Sequence, residues 1–375
     1  MIQCKLVRYA LLARYYAKIS SLPSHPFVLI QESLMPRLFI RIVCLLVLSI
    51  VSVPAIYAQD KIDPNKFAIT DPAAVDTDYH YQGEYYGSLI NSQNCCETTG
   101  LQVIARGDGK FDAVLYQGGL PGNGWNGETK SKLSGAIAGS SLVLANDDYQ
   151  ISIANNKAAV ANASERNMGS LAHVKRKSRT IGARPVAGAT VLFNGTSVEH
   201  FVDGKITADG LLKVEALTAE PVRDFRLHLE FRLPYMPYAT GQKRANSGVY
   251  IQERYEVQIL DSFGLDGKLN EAGALYQTKT PDVNMCFPPL YWQTYDIYFT
   301  AAKFDDADKK TANARITVYH NGITVQDDFE IPNKTGGGHQ EGPGPGKIKL
   351  QHHSNPVVFR NIWIVNGNGN PAVCR

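Results

Sequence analysis

Apolar and polar residues alternate strictly along FRLHLEFRL, residues 225–233. Phe225, Leu227, Leu229, Phe231 and Leu233 fall on one side, and Arg226, His228, Glu230 and Arg232 on the other. A period of two is the mark of a half-buried antiparallel strand. The same kind of pattern predicts strands at 247–253, 255–260, 293–300, 313–320, 346–353 and 356–365, with the HNG at 320–322 as a hairpin turn. Helical periodicity is almost absent. Many short strands broken by turns predict a two-sheet sandwich over about 189–367.

Upstream, GLQVIARGDGKFDAVLYQGGL sets two short strands around a GDG hairpin signal, and LSGAIAGSSLVLANDDYQISIANNKAAVA continues with short apolar runs between turns. This predicts a small all-β domain of some seven strands over 79–162. Within it, GGLPGNGWNGE (118–128) is a Gly-rich loop that lacks GK[ST] and precedes no helix, so it is not a phosphate loop. Its Trp125 either stacks on a sugar or anchors a surface turn. Residues 163–188 are polar, basic and aperiodic and read as an interdomain linker; residues 59–78 read as an extended leader.

The N-terminal segment has a different character. In MPRLFIRIVCLLVLSIVSVPAIYA (35–58), Arg37 and Arg41 precede an apolar run that ends at Pro54 and Ala58, the layout of a cleaved signal peptide with Gln59 as first mature residue. The run is short for a membrane span, so no stable membrane insertion is expected after cleavage; an uncleaved anchor is the alternative. Residues 1–34 fit no targeting pattern and read as an extension upstream of a true start at Met35. The expected location is secreted or periplasmic.

The 375-residue chain is 44% hydrophobic and 19% charged, with 32 Gly and 19 Tyr, a globular composition that leans towards β structure. Its formal charge is +3. Removing residues 1–58 takes away six Lys or Arg and one Glu, leaving 32 basic and 34 acidic residues and a net charge of −2. Nucleic acid is therefore not an expected partner. Four cysteines remain: Cys95, Cys96, Cys286 and Cys374. They form no CxxC pair, so a zinc site is not expected. One or two disulfides are open, though the adjacent Cys95 and Cys96 suit each other poorly.

Candidate chemistry gathers in the second domain. In NSGVYIQERYEVQILDSFG (246–264), one strand carries Glu256 and Gln258 on one face, about 6.5–7 Å apart, and Tyr255, Val257 and Ile259 on the other. Asp261 follows. The preceding strand offers Tyr250 and Gln252 in one parity. Near the C-terminus, KLQHHSNPVVFRNIWI offers Gln351 and His353 in one parity, then Arg360 and Asn361 in the next strand. Each has a plain alternative: a solvated strand face for Glu256 and the histidines, a structural ion pair for Arg360, a turn or edge role for Asn246 and Asn361.

Taken together, VLFNG, FRLHLEFRL, NSGVYIQERYEVQILDSFG, GALYQ, WQTYDIYF, ITVYHNG and KLQHHSNPVVFRNIWI resemble, in the same order and over about 180 residues, the 3-keto-disaccharide hydrolase family. The first domain resembles an uncharacterised β module that accompanies this domain in secreted bacterial proteins of planctomycete type. The resemblance implies an all-β, concanavalin-like jelly roll and activity on glycosides oxidised at C3. A C3 ketone acidifies the C2 hydrogen. A base removes it, the C1 substituent is eliminated, and water adds back. Such a site needs a base, an acid for the leaving oxygen, and donors or positive charge at the enolate oxygen.

By this resemblance Glu256 and Gln258 match YEVQ, Asp261 the acid after it, Gln351 and His353 LQxH, and Arg360 with Asn361 FRN. His352 stands where the family often has Asp, and Ser354 where it often has Gly. The implied roles are His353 or Glu256 as base, Arg360 or a bound cation at the enolate, and Gln258 and Asn246 orienting hydroxyls. Tyr250 and Gln351 are further binding residues, and Tyr276 and Trp292 are stacking surfaces or core aromatics. Carboxylate, imidazole and amide groups together could also hold a divalent cation. The expectation is a secreted hydrolase or lyase on 3-keto-glycosides, with acid, amide, imidazole and guanidinium groups meeting in one open hollow. The alternative is a non-catalytic carbohydrate-binding module of the same fold; an ordinary glucanase fits less well, because the strand alternates acid with amide.

Overall fold

The computed structural model describes residues 63–367. The proposed extension, the signal peptide, the first residues of the leader and Cys374 lie outside them. No helix among the described residues is long and apolar enough to cross a membrane.

Eight antiparallel strands in sequence order close into a barrel: β1 (Gly83–Ile90), β2 (Cys96–Ala105), β3 (Lys110–Gln117), β4 (Lys130–Ala138), β5 (Ser141–Ala145), β6 (Tyr149–Ala154), β7 (Lys157–Asn162) and β8 (Asn167–Val174). Closure comes from β8 returning to β1, with Glu84 opposite Val174 and Leu89 opposite Gly169. Alternate residues fill the lumen, among them Tyr85, Val103, Phe111, Leu144, Ile151 and Val160. The GDG turn behaves as its composition suggests: Gly107, Asp108 and Gly109 all take positive φ, and Lys110 N–H closes the turn on Gly107 O.

Closure requires a correction to the sequence reading. The segment read as a linker supplies β8, and residues 178–183 beyond it line the sandwich. The strand escaped notice because only Leu171 in it is fully buried, so apolar alternation is faint there.

The second part of the chain builds two stacked sheets. Short strands come first: β9 (Thr190–Phe193), β10 (Phe201–Val202), β11 (Leu212–Lys213) and β12 (Ala216–Thr218). Then follow β13 (Phe225–Arg232), β14 (Ser247–Ile251), β15 (Tyr255–Ile259) and β16 (Trp292–Thr300). The small hairpin β17 (Lys303–Phe304) with β18 (Lys310–Ala312) precedes β19 (Ala314–His320), β20 (Ile323–Ile331), β21 (Lys349–Leu350) and β22 (Val358–Asn366). One sheet runs β10-β12-β21-β14-β15; the other runs β11-β22-β13-β16-β19-β20, with β9 on β22. The fold is thus all-β, a jelly-roll-type sandwich after a small β domain.

The core lies between the sheets. Val249, Ile251, Tyr255, Val257 and Ile259 face Phe225, Leu227, Leu229, Phe231, Ile297 and Phe299. Tyr255 and Phe299 meet with ring centroids 5.5 Å apart, and Tyr295 donates its hydroxyl across the core to Gln258 O at 2.6 Å. The polar parity of each strand therefore points outward, on opposite sides of the sandwich. β20 is absent from the predicted strands although Ile323, Val325, Phe329 and Ile331 share one parity; Asp327 interrupts that apolar side, next to a bulge at Asp328 with φ 40°.

Cysteine placement differs from the disulfide expectation as well. Cys95 and Cys96 are free and exposed beside the barrel, and Cys286 is free and buried in the sandwich core.

Candidate active site

On the outer face of the five-stranded sheet, antiparallel register sets side chains in rows. Tyr250 lies opposite both Glu256 and Lys349. Gly248 lies opposite Gln258, and Gln351 N–H donates to Gly248 O. One row is therefore Lys349, Tyr250, Glu256; the next is Gln351, Gly248, Gln258. Gly248 is a requirement here, because a Cβ in its place would lie 2.3 Å from Glu256 Oε1. The missing side chain leaves a notch into which the carboxyl leans.

An amide cluster continues from Gln258. Its Nε2 donates to Asn246 Oδ1 at 3.1 Å, and Asn246 Nδ2 donates to Gln242 O at 2.8 Å. Asn246 N–H donates to Asn355 Oδ1 at 2.8 Å, which ties this face to the loop before β22. Two acceptors in this region, Gln258 Oε1 and Gln351 Oε1, are buried and have no partner among the described residues. An unanswered buried acceptor costs about 1–3 kcal/mol and is the natural seat of a ligand hydroxyl.

Two loops roof the rows. Residues 273–276 run along the edge of β15: Gln258 N–H donates to Ala274 O, and Tyr276 N–H donates to Glu256 O. The TGGG run at 335–338 lies on the tyrosines. A Cβ at Gly336 would come within 3.0 Å of the Tyr276 ring, and one at Gly337 within 2.6 Å of the Tyr250 hydroxyl. Thr335 Oγ1 also accepts from Glu256 N–H at 2.8 Å. Sequence reasoning passed over this loop; three consecutive glycines after a threonine were the available signal.

Under this roof Glu256 is only 2% exposed. Burial pushes its carboxyl up to about 7, against the weaker opposing effect of a hydrogen bond from the Tyr250 hydroxyl. Burial, followed by the charge of Glu256, likewise drives the Tyr250 hydroxyl well above the usual phenol range. The pair is a carboxyl poised near neutrality and a phenol that keeps its proton.

The remaining predicted residues do not join them, and the expected single open hollow is not formed. His353 lies in the exposed turn between β21 and β22, beyond Gln351, and its side chain makes no hydrogen bond among the described residues. Asp261 is buried against Arg244, Oδ2 to Nε 2.6 Å, with both side chains almost fully enclosed. It is the partner of a buried guanidinium rather than a free acid. Gln252 sits in the β14–β15 turn at φ 53° and donates to Val222 O, so its predicted parity with Tyr250 does not hold.

Arg360, Asn361 and Trp292 occupy the opposite outer face. Arg360 Nε donates to Glu230 Oε2 at 2.7 Å and stacks its guanidinium 3.9 Å from the Trp292 ring. Asn361 Nδ2 donates to Glu230 Oε1 and to Ala183 O, each at 3.0 Å. The former linker covers this face: Gly182 N–H donates to Glu230 Oε1 at 2.6 Å, and Thr180 Oγ1 donates to Asp296 Oδ2 at 2.7 Å. His228 Nδ1 meets Asp296 Oδ1 at 2.8 Å. Burial would raise the Glu230 carboxyl, but hydrogen bonds from His228, Asn361, Arg360 and Gly182 prevail and hold it at about 2. Arg360 is thus a structural cation, and cannot stabilise an enolate beside Glu256.

Among the described residues no group of three or more His, Cys, Asp or Glu side chains converges as a metal ion would require. A cation held by His353 and Glu256 would need further ligands, and no such group gathers around them among the described residues.

The fold and this face define a jelly-roll sandwich of the carbohydrate-active kind, with a carboxyl and an amide cluster on one sheet. Residues 188–365 match the 3-keto-alpha-glucoside-1,2-lyase-like domain, and the chain belongs to that family. Three solved structures from Parabacteroides distasonis ATCC 8503, each provisionally described as a glycosyl hydrolase, are similar to it. The first is 31% identical, covering 48% of this chain and 84% of its own, with a TM-score of 0.44. The others are 18% and 24% identical, cover 48% of this chain and 94% and 99% of their own, and give TM-scores of 0.36 and 0.35. No curated protein matches the chain significantly.

Proposed function

We propose that the sandwich cleaves 3-keto-glycosides, with Glu256 as the base that removes the C2 proton. The observation that carries this reading is the Glu256 carboxyl, buried and raised to about 7 beside Tyr250 and two unanswered amide oxygens. A base near neutral pKa is partly ionised at working pH and strong enough to take a carbon-bound proton. Glu256 fits this better than His353, which is exposed and has no hydrogen-bond partner among the described residues.

In this reading Glu256 takes the proton from C2, and the C2–H electron pair becomes the C2=C3 enolate. Lys349, in line with Tyr250 and Glu256, supplies positive charge for the enolate oxygen in place of Arg360. The enolate then re-forms the C3 ketone as the C1–oxygen bond breaks. Tyr250 gives its proton to the leaving oxygen and regains one from Glu256. Water adds across the C1=C2 bond to complete hydrolysis. Gln258 Oε1 and Gln351 Oε1 accept from sugar hydroxyls. Entry of substrate requires the 335–338 loop to withdraw from Tyr250 and Tyr276, a movement its glycines permit at low steric cost.

The near-complete enclosure of Glu256 also favours a second reading, a carbohydrate-binding module in which the amides bind and no bond is cleaved. The two are separated by incubating the protein with the 3-keto and unoxidised forms of one glycoside, with and without chelator. Release of aglycone from the 3-keto form alone, abolished in Glu256→Gln, is expected. Binding without release in either form supports the module instead.

A further inference from the structure

The barrel has two unlike ends. At one end the inward positions are apolar and filled, with Phe111, Ile153 and Ala158 among them. At the other, the same inward parity continues into polar residues. Leu101 and Val103 on β2 lead back to Thr99 and Glu97, Leu115 on β3 leads on to Gln117, Leu133 on β4 leads back to Ser131, and Val160 on β7 leads on to Asn162. With Tyr149 at the start of β6, these side chains surround a cavity of about 340 Å³, whose walls include Leu89, Leu115 and Met168. This lies at the small end of the range for small-molecule pockets, about 300–1,000 Å³, and small eight-stranded barrels can hold one ligand in the mouth.

The bonding state of the rim indicates what could enter. Both of its cations are engaged: Lys130 pairs with Asp266 at 2.6 Å, and Arg166 donates to Asn94 Oδ1. Among the described residues, the carboxylates of Glu97 and Asp148, the Gln117 amide, the Ser131 hydroxyl and the Tyr149 hydroxyl make no side-chain hydrogen bond. Two free carboxylates repel an anion. Together with an amide, two hydroxyls and an aromatic face over an apolar floor, they match a small neutral molecule that presents vicinal hydroxyls on one edge and C–H groups on its faces.

We infer that the open end of the barrel is a saccharide-binding pocket, sized for a neutral mono- or disaccharide, with Glu97, Gln117 and Tyr149 as its hydrogen-bonding set. It is a separate site from Glu256 and does not rest on the chemistry assigned there.

The test is a titration of the full chain, labelled at its methionine methyls, with glucose, maltose and cellobiose. Met168 lines the cavity, while Met236 and Met285 lie in the sandwich core. The expected result is a saturable shift of the Met168 resonance with at least one sugar, while Met236 and Met285 stay in place. Glu97→Gln and Tyr149→Phe should each weaken that titration by about tenfold, with an unchanged circular dichroism spectrum and unfolding midpoint reporting an intact barrel. Glu256→Gln should leave it unaltered. No Met168 shift with any of the three sugars overturns the inference, as does a shift that survives both barrel substitutions or vanishes with Glu256→Gln.

Discussion

Two glutamates, Glu256 and Glu230, are buried on opposite outer faces of the same sandwich, 2% and 1% exposed. Burial acts on both in the same direction. Glu256 meets one opposing hydrogen bond, from Tyr250, and its carboxyl rests at about 7. Glu230 meets donors from His228, Asn361, Arg360 and Gly182 and rests at about 2. The number of donors decides whether a buried carboxyl becomes a poised proton acceptor or a locked charge. In the proposed reading one face reacts, while the other fastens residues 178–183 onto the sheet.

The largest effect that would break this contrast is on turnover. Glu256→Gln keeps the shape and removes the base, and should lower the cleavage rate on a 3-keto-glycoside by roughly 10²–10⁴-fold. Arg360→Ala, on the other face, should leave that rate nearly unchanged. A steady-state assay of both variants checks this; equal losses would merge the two faces into one function.

Stability should follow the reverse pattern. Glu230→Ala strands Arg360, Asn361 and His228 without their acceptor and should cost roughly 3–5 kcal/mol in urea unfolding. Glu256→Gln should cost little, because the site already accommodates a neutral side chain at that position.

The pH dependence sharpens the comparison, because the two groups have opposite signs. Glu230 is depressed from an ordinary 4.5 to about 2, so its stabilisation is present above 4.5 and is lost as pH falls through about 2. Glu256 is raised from 4.5 to about 7, so its contribution is complete below 4.5 and is lost as pH rises through about 7. Each amounts to roughly 3 kcal/mol. Unfolding curves from pH 4 to 8 should show the alkaline loss in the parent chain and a flatter profile in Glu256→Gln.

The smallest expected effect is at the exposed edge of the locked face. Arg360 is partly solvated, and its stack on Trp292 should be worth about 0.5–1 kcal/mol. Trp292→Leu should therefore shift the unfolding midpoint only slightly and leave sugar cleavage intact.

Much of this architecture was readable from alternation alone. The 225–233 pattern identified β13 and its apolar face, and YEVQI placed Glu256 and Gln258 together and outward. Parity within a strand is local, so it survives into the fold. Membership of a sheet is not local. Nothing in FRN tells which sheet its strand joins, and Arg360 was therefore grouped with Glu256 although the core lies between them. His228 and Glu230 looked like a solvated face, since the residues that bury them, Trp363, Arg360, Asn361 and the 178–183 segment, lie far away in sequence. β8 and the TGGG roof were missed for a related reason: one is mostly solvent-facing, and the other works through the absence of side chains.

The most direct test of the central claim is a ¹³C titration of the glutamate carboxyls, with the Glu256 resonance identified by its loss in Glu256→Gln. The account predicts a midpoint near 7. A midpoint near the ordinary glutamate value of about 4.3 would contradict it and leave the five-stranded face without its base.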